Sequence, residues 1–223
     1  MSLHENFAPL SHSALLGFEQ ASAKRGYAHG VAKRVLDLVI AVPLLIALAP
    51  VLMLLAVIVR AGSKGPALFR QTRLGLNGAP FHILKFRTMT VMEDGASVKQ
   101  AVQGDARVTS CGVWMRKLSF DELPQLINVI NGDMSLIGPR PHALAHDRYY
   151  GSVIANYNQR QSVKPGISGW AQVNGLRGAT ETVKIMRRRV SFDIWYAQHA
   201  SFGLDILILF RTFAEVLRQR NAH

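Results

Sequence analysis

Cysteine is almost absent from this chain: Cys111 stands alone among 223 residues. One thiol cannot form an internal disulfide, so a reducing, cytosolic setting is expected for the folded part. The ordinary role of such a residue is a small buried hydrophobe. Acidic side chains are also scarce, 14 against 26 lysines and arginines, which leaves a net charge of +12. So large an imbalance implies an anionic partner: nucleic acid, acidic lipid headgroups or a phosphorylated substrate. No helix-turn-helix, RNA-recognition or zinc-knuckle pattern supports the first of these. Hydrophobic residues make up 49% of the chain and mean hydropathy is +0.13, high for so basic a sequence. That pairing favours a membrane surface over free nucleic acid. Internal repeats and low-complexity tracts are missing too. The length is one domain's worth, enough to bury a core.

Charge is lacking altogether from residues 39–59. As a continuous helix this run is about 31 Å long at ~1.5 Å per residue. A bilayer core is roughly 30 Å thick. A secretory signal fits poorly, because the polar stretch 1–32 before it is long and no small-residue cleavage pattern follows. Two readings remain: an ordinary single span, and a bent, re-entrant helix that enters and leaves on one side. Pro43 and Pro50 each remove a backbone donor, freeing the carbonyls of Val39 and Ile46. Basic residues flank both ends, Lys33 and Arg34 before, then Arg60, Lys64, Arg70 and Arg73 after. A true span should carry its basic flank on one side only. The re-entrant reading therefore leads. A freed carbonyl in hydrocarbon is costly, so such a helix must pack against protein or dip shallowly.

The expected organisation is a mobile leader over 1–32, a re-entrant membrane helix over 33–60, and a catalytic domain over 61–223. The fold class expected is α+β and mostly helical. Residues 67–71 and 81–87 read as short strands, with Asn77-Gly78 as the turn of a small β-hairpin. Residues 107–131 read as helical, and helical patterns beyond Asp147 alternate with a Gly-rich turn at 164–169. Leu204, Ile208, Phe213 and Leu217 suit an amphipathic helix, either at the membrane interface or in a homo-oligomer contact.

Two adjacent carboxylates, Asp121 and Glu122, sit in the run Ser119-Phe120-Asp121-Glu122-Leu123-Pro124-Gln125. One reading is local: Asp121 caps a helix, Ser119 and Glu122 spell a capping box, and the helix stops at Gly132. The other is chemical. One carboxylate can attack phosphorus, while its neighbour holds Mg²⁺ that shields the phosphate oxygens. Cations surround the pair in sequence. Arg116 lies five residues earlier, and Lys85 and Arg87 alternate along a strand pattern and so share a face. Arg140 is fixed between Pro139 and Pro141. Guanidinium groups match phosphate oxygens with paired hydrogen bonds.

These strings together resemble the bacterial monotopic phosphoglycosyl transferases. The resemblance is carried by Lys33-Arg34-Val35-Leu36-Asp37, the Pro50 helix, and Lys85-Phe86-Arg87-Thr88-Met89. Asp121-Glu122-Leu123-Pro124-Gln125, Asn131-Gly132-Asp133-Met134-Ser135-Leu136 and Gly138-Pro139-Arg140-Pro141 extend it. The stretch from Lys164-Pro165-Gly166 through Trp170-Ala171-Gln172-Val173 completes it. Larger relatives carry extra membrane helices and a further domain in front, so the expectation is a minimal catalytic unit. The resemblance implies transfer of a sugar-1-phosphate from a UDP-sugar to undecaprenyl phosphate, with release of UMP. It implies Asp121 as nucleophile, Glu122 as Mg²⁺ ligand, and phosphate or nucleotide contacts from Arg116 and Arg140, extended to Lys85 and Arg87. The helix is implied to keep the enzyme on the cytosolic face of the inner membrane.

The family pattern has Ser-Pro at the helix break where this chain has Ala49-Pro50, so no hydroxyl serves the freed carbonyls there. Residues 91–95 and His142 to His146 resemble exopolysaccharide-initiating members that move glucose-1-phosphate or galactose-1-phosphate. The two histidines, four apart, fit a metal pair on one helix face. A sugar or surface role is preferred, since no third ligand is evident. A rival class remains: a non-catalytic, membrane-anchored basic scaffold or nucleic-acid binder. Mg²⁺-dependent UMP release separates the two.

Overall fold

A computed structural model describes residues 26–90, 104–178, 180 and 182–218. Most of the proposed leader and the 91–95 string lie outside those residues.

The apolar run forms one long helix, α1 (Val31–Gly62), which contains both Pro43 and Pro50. Straight, its 32 residues would reach about 48 Å at ~1.5 Å each. Its middle is bare: Ile46 is 69% exposed, Met53 66% and Leu54 61%. A continuous apolar surface of that kind marks contact with lipid or another protein.

Both ends of α1 dock on the rest of the molecule. β1 (Leu68–Leu74) and β2 (Pro80–Phe86) pair antiparallel, Leu68 opposite Phe86 and Leu74 opposite Pro80. Asn77 at φ 53 and Gly78 at φ 75 make the turn, the conformation these two residue types tolerate best. After β2 come α2 (Ser110–Leu118), a tight turn at Phe120–Glu122, and α3 (Gln125–Asn131). Thr109 caps α2, its hydroxyl accepting from Gly112 N at 3.1 Å. The mostly helical stretch expected over 107–131 is two α-helices on either side of the carboxylates.

At the entry of α1, Arg34 donates to the carbonyls of Val129 and Ile130 at 2.6 and 2.7 Å. Lys33 is buried and pairs with Asp205 at 2.6 Å, and Asp37 accepts from Ser135 Oγ and Leu136 N at 3.0 Å. Lys33, part of the basic flank in sequence, is a buried anchor. At the exit, Leu55 and Val59 pack with Phe86 and Met115. Ala41, on the entry half, packs with Ile83, Leu126, Val129 and Met134. Each fully buried aliphatic residue here contributes about 1.5–3 kcal/mol.

A second small sheet, absent from the sequence reading, pairs β3 (Ser135–Ile137) in parallel with β4 (Gly166–Ser168). It depends on close backbone approach. A Cβ on Gly138 would lie 2.3 Å from the Lys164 carbonyl, and one on Gly166 would lie 2.1 Å from Gly138 N. This packing sets where the following Pro139-Arg140-Pro141 emerges. Helices α4 (Leu144–Val153), α5 (Trp170–Val173), α6 (Val183–His199) and α7 (Phe202–Arg218) complete the chain, with a 3₁₀ segment at Tyr157–Ser162. The described fold is mostly helical, with one helix long and apolar enough to cross a membrane and one antiparallel hairpin.

Candidate active site

The carboxylates sit where two helices fail to join. Ser119 takes φ 61, and its N–H returns to the Arg116 carbonyl at 3.1 Å, closing α2. Glu122 N then bonds the Ser119 carbonyl and Leu123 N the Phe120 carbonyl, both three residues back. Only from Gln125, after Pro124, does the α pattern resume. Asp121 is therefore inside a turn and caps no helix. The capping box does not form either: Ser119 Oγ makes no cap bond and accepts from Arg177 Nη2. The expected stop at Gly132 is present, at φ 91.

Glu122 is 8% exposed and gripped by two cations. Lys85 Nζ donates to Oε1 at 2.8 Å, while Arg140 donates through Nη1 to Oε2 at 3.1 Å and through Nη2 to Oε1. Strand β2, the carboxylate turn and the Pro-framed loop after β3 thus converge on one side chain. Asp121 is half-buried and carries no hydrogen bond among the described residues.

The electrostatics of the two acids diverge. Burial, and then the Glu122 charge, push the Asp121 carboxyl up to about 6, against weaker pulls from Lys85, Arg116 and Arg140. Burial would also raise Glu122, but Arg140 and Lys85 hold it well below the usual carboxylate range. Burial lowers Lys85 although Glu122 opposes it, and the Glu122 charge raises Arg140. At neutral pH the site holds two carboxylates, one paired and one unpaired. The unpaired one has the higher basicity of the two.

The structure brings Asp121, Glu122, Lys85 and Arg140 together, with Arg116 near enough to act on Asp121. Arg87 goes elsewhere. It is 2% exposed and donates to the carbonyls of Lys64 and Ser63 at 2.7 and 2.6 Å, binding the exit of α1. The strand ends at Phe86, so the alternation that put Lys85 and Arg87 on one face does not carry both to one site. Ala49 and Pro50 lie within α1, away from the buried positions of that helix. His142 and His146 do not share a helix face, since α4 begins at Leu144. His142 is buried, its Nδ1 2.6 Å from the Tyr157 hydroxyl, so the surface role does not apply to it.

Sequence reasoning missed Arg160 and Asp193. Arg160 lies under the Arg140 loop, with Nε and Nη2 on Asp193 Oδ2 at 2.9 and 2.8 Å. No local pattern marks a pair 33 residues apart. Nor does composition mark it, since Arg160 sits in the polar run Asn158-Gln159-Arg160-Gln161-Ser162.

The Mg²⁺ implied by the resemblance can be tested against the donors present. Among the described residues, no group of three or more His, Cys, Asp or Glu side chains gathers. Glu122 uses three of its roughly four lone-pair directions, and Asp121 uses none among the described residues. Mg²⁺ commonly binds through one or two carboxylates and the phosphates of its substrate, keeping several waters. An all-oxygen, half-free carboxylate pair fits that mode, with the substrate phosphates completing the shell.

A family model described as bacterial sugar transferase matches residues 28–219. A UDP-glucose:undecaprenyl-phosphate glucose-1-phosphate transferase of Caulobacter vibrioides is 55% identical over 191 residues, 86% of this chain and 72% of that protein. Proteins of the same name from Escherichia coli and Xanthomonas campestris pv. campestris are 50% and 41% identical, covering 81% and 99% of this chain. The chain spans under half the length of those two, 39% and 46%. With the match running through α1, the carboxylate turn and the Arg140 loop, the chain belongs to the bacterial sugar transferases, a family of phosphoglycosyl transferases.

Proposed function

We propose that the protein transfers a hexose-1-phosphate, of glucose or galactose type, from a UDP-sugar to undecaprenyl phosphate as the first membrane step of exopolysaccharide synthesis. The observation that carries this reading is the asymmetry of the acids: Glu122 is locked by Lys85 and Arg140, while Asp121 beside it keeps a more basic carboxylate. The catalytic roles for Asp121 and Glu122, and phosphate or nucleotide contacts by Lys85, Arg116 and Arg140, are part of the proposal.

In this scheme an Asp121 oxygen attacks the phosphorus that bears the sugar. The bond from that phosphorus to the bridging oxygen breaks, and UMP departs with the electron pair. The acyl-phosphate so formed is then attacked at the same phosphorus by an oxygen of undecaprenyl phosphate, which returns Asp121 as a carboxylate. Mg²⁺ held by Glu122 and the substrate phosphates would shield the phosphate oxygens from the incoming Asp121 carboxylate. Lys85 and Arg140 keep Glu122 ionised and oriented, and Arg116 adds positive charge on the Asp121 side.

The helix α1 is proposed as re-entrant, with its break near Ala49 and Pro50 and the domain over 61–223 on the cytosolic face of the inner membrane. Two features support it. Both ends of α1 hold the same body, Arg34 on α3 at one end and Arg87 on the exit at the other. The apolar middle between them is bare. A straight span would carry one of those ends across the bilayer. Ile208 and Leu204, expected on the interfacial face, pack into the core, and exposed Phe202, Leu207, Phe210 and Phe213 make α7 a candidate interfacial helix instead.

The test is a panel of UDP-sugars with undecaprenyl phosphate, read as UMP release. With labelled UDP-sugar and no lipid, a covalent step gives up to about one equivalent of UMP and a labelled protein. Full activity with lipid but neither product without it would rule out the covalent route. No UMP from any donor, with well-folded protein, overturns the transferase reading in favour of the scaffold.

A further inference from the structure

The loop that presents Arg140 is held by its backbone as well as by its prolines. Three consecutive carbonyls are each taken by a donor from a different element. Gly166 N, on β4, reaches the Pro139 carbonyl at 3.0 Å, and Arg73 Nη1, on β1, reaches that of Pro141 at 3.1 Å. Between them, Arg160 Nη2 donates to the carbonyl of Arg140 itself. Arg160 is 3% exposed and cannot swing, because Nε and Nη2 are both engaged by Asp193, itself 2% exposed on α6. The next residue is fixed as well: His142 meets the Tyr157 hydroxyl, which donates to Asp147 at 2.7 Å.

Arg160 also has Nη1 3.9 Å from Asp147 Oδ1 and lies over the Tyr157 ring, and a buried charge cluster of this kind is a costly way to reach a carbonyl that a neutral amide could serve. Its use directly beneath the residue that grips Glu122 points to the demands of the site. We propose that Arg160 is a positioning residue for phosphosugar transfer: it holds the Arg140 carbonyl and so sets the Arg140 guanidinium in register with Glu122. Arg160 touches neither acid. It acts through Arg140, and Asp193 acts through Arg160. The inference rests on the transferase reading for its kinetic consequence, while its structural half stands on the hydrogen bonds alone.

The experiment is a double-mutant cycle on the full chain in detergent. Arg160→Lys keeps the charge but loses the planar fork that serves Asp193 and the carbonyl together. With UDP-glucose and undecaprenyl phosphate, it should lower kcat about tenfold or more and raise KM for the donor, since it displaces a proposed phosphate contact. Added to Arg140→Lys it should cost less than about twofold, because the residue it positions is already altered. Equal losses in both backgrounds, or near-normal kcat in Arg160→Lys, would overturn the proposal. A second cycle needs no activity: Arg160→Lys and Glu122→Gln, read as unfolding midpoints. Coupled shifts support the relay and additive shifts refute it, so failure of the transferase reading is told apart from failure of this one. If Arg160→Lys does not fold, Asp193→Asn, which loosens the guanidinium while leaving Arg160 in place, takes its part in both cycles with the same expected results.

Discussion

Arg140→Ala strands a buried carboxylate, and the size and pH dependence of the damage follow from the geometry. Arg140 supplies two charged donors to Glu122, at 3.1 Å to Oε2 and in a shorter bond to Oε1. Removing one partner of a buried ion pair costs about 3–5 kcal/mol, since the remaining charge is left uncompensated. Lys85 stays at 2.8 Å and still serves Oε1, which places the loss near the lower end, about 3 kcal/mol. The sign with pH is fixed by the direction of the shift. Burial raises Glu122, but Arg140 and Lys85 outweigh it and depress the carboxyl well below 4.5. A depressed acid contributes stability above its unfolded pKa and loses it as pH falls through the folded value. The deficit of Arg140→Ala should thus be full at about pH 7 and shrink in acid, where a protonated Glu122 no longer needs the arginine. Urea unfolding in detergent, followed by tryptophan fluorescence, reads this out, since Trp114 packs edge-on against Phe120 at 6.1 Å. Adding Glu122→Gln should recover part of the loss. A deficit below about 1 kcal/mol at neutral pH, or one unchanged in acid, would refute the reasoning.

Asp121→Asn should abolish both UMP release and the labelled adduct without lowering the unfolding midpoint at neutral pH, because it removes a charge that burial and Glu122 disfavour; near-normal turnover removes it as nucleophile. Arg87→Ala should lower stability by about 2–4 kcal/mol, through lost charge-assisted bonds to buried carbonyls, with KM for the donor unchanged. A raised KM with unchanged stability would instead return Arg87 to phosphate binding. Single cysteines Ala32→Cys and Lys64→Cys, both at exposed positions and in a Cys111→Ser background, should both resist an impermeant thiol reagent outside spheroplasts and react once the membrane is opened. Labelling of the Ala32→Cys site from outside makes α1 an ordinary span. Pro50→Ala restores the missing N–H and should move part of the population toward that state.

Local chemistry was legible in the amino-acid string because it depends on neighbours in the chain. An uncharged run with Pro43 and Pro50 announces α1, Asn77-Gly78 announces the hairpin, and Gly132 announces the end of α3. The adjacent carboxylates and the Pro-framed arginine also announced themselves, as residue types too costly to place idly. What those groups do to one another was not legible. Glu122 meets Lys85 and Arg140 across 37 and 18 residues, and Lys33 meets Asp205 across 172. Turn preferences and hydrophobic periodicity reach only a few positions along the chain and say nothing of such pairings. Arg87 shows the consequence: two positions from Lys85 on paper, it closes the end of a helix, because the strand stops between them. The Asp193–Arg160 support under Arg140 arises from packing between distant segments. Burial in that packing, which no linear pattern encodes, is what separates the two acids into one paired and one free.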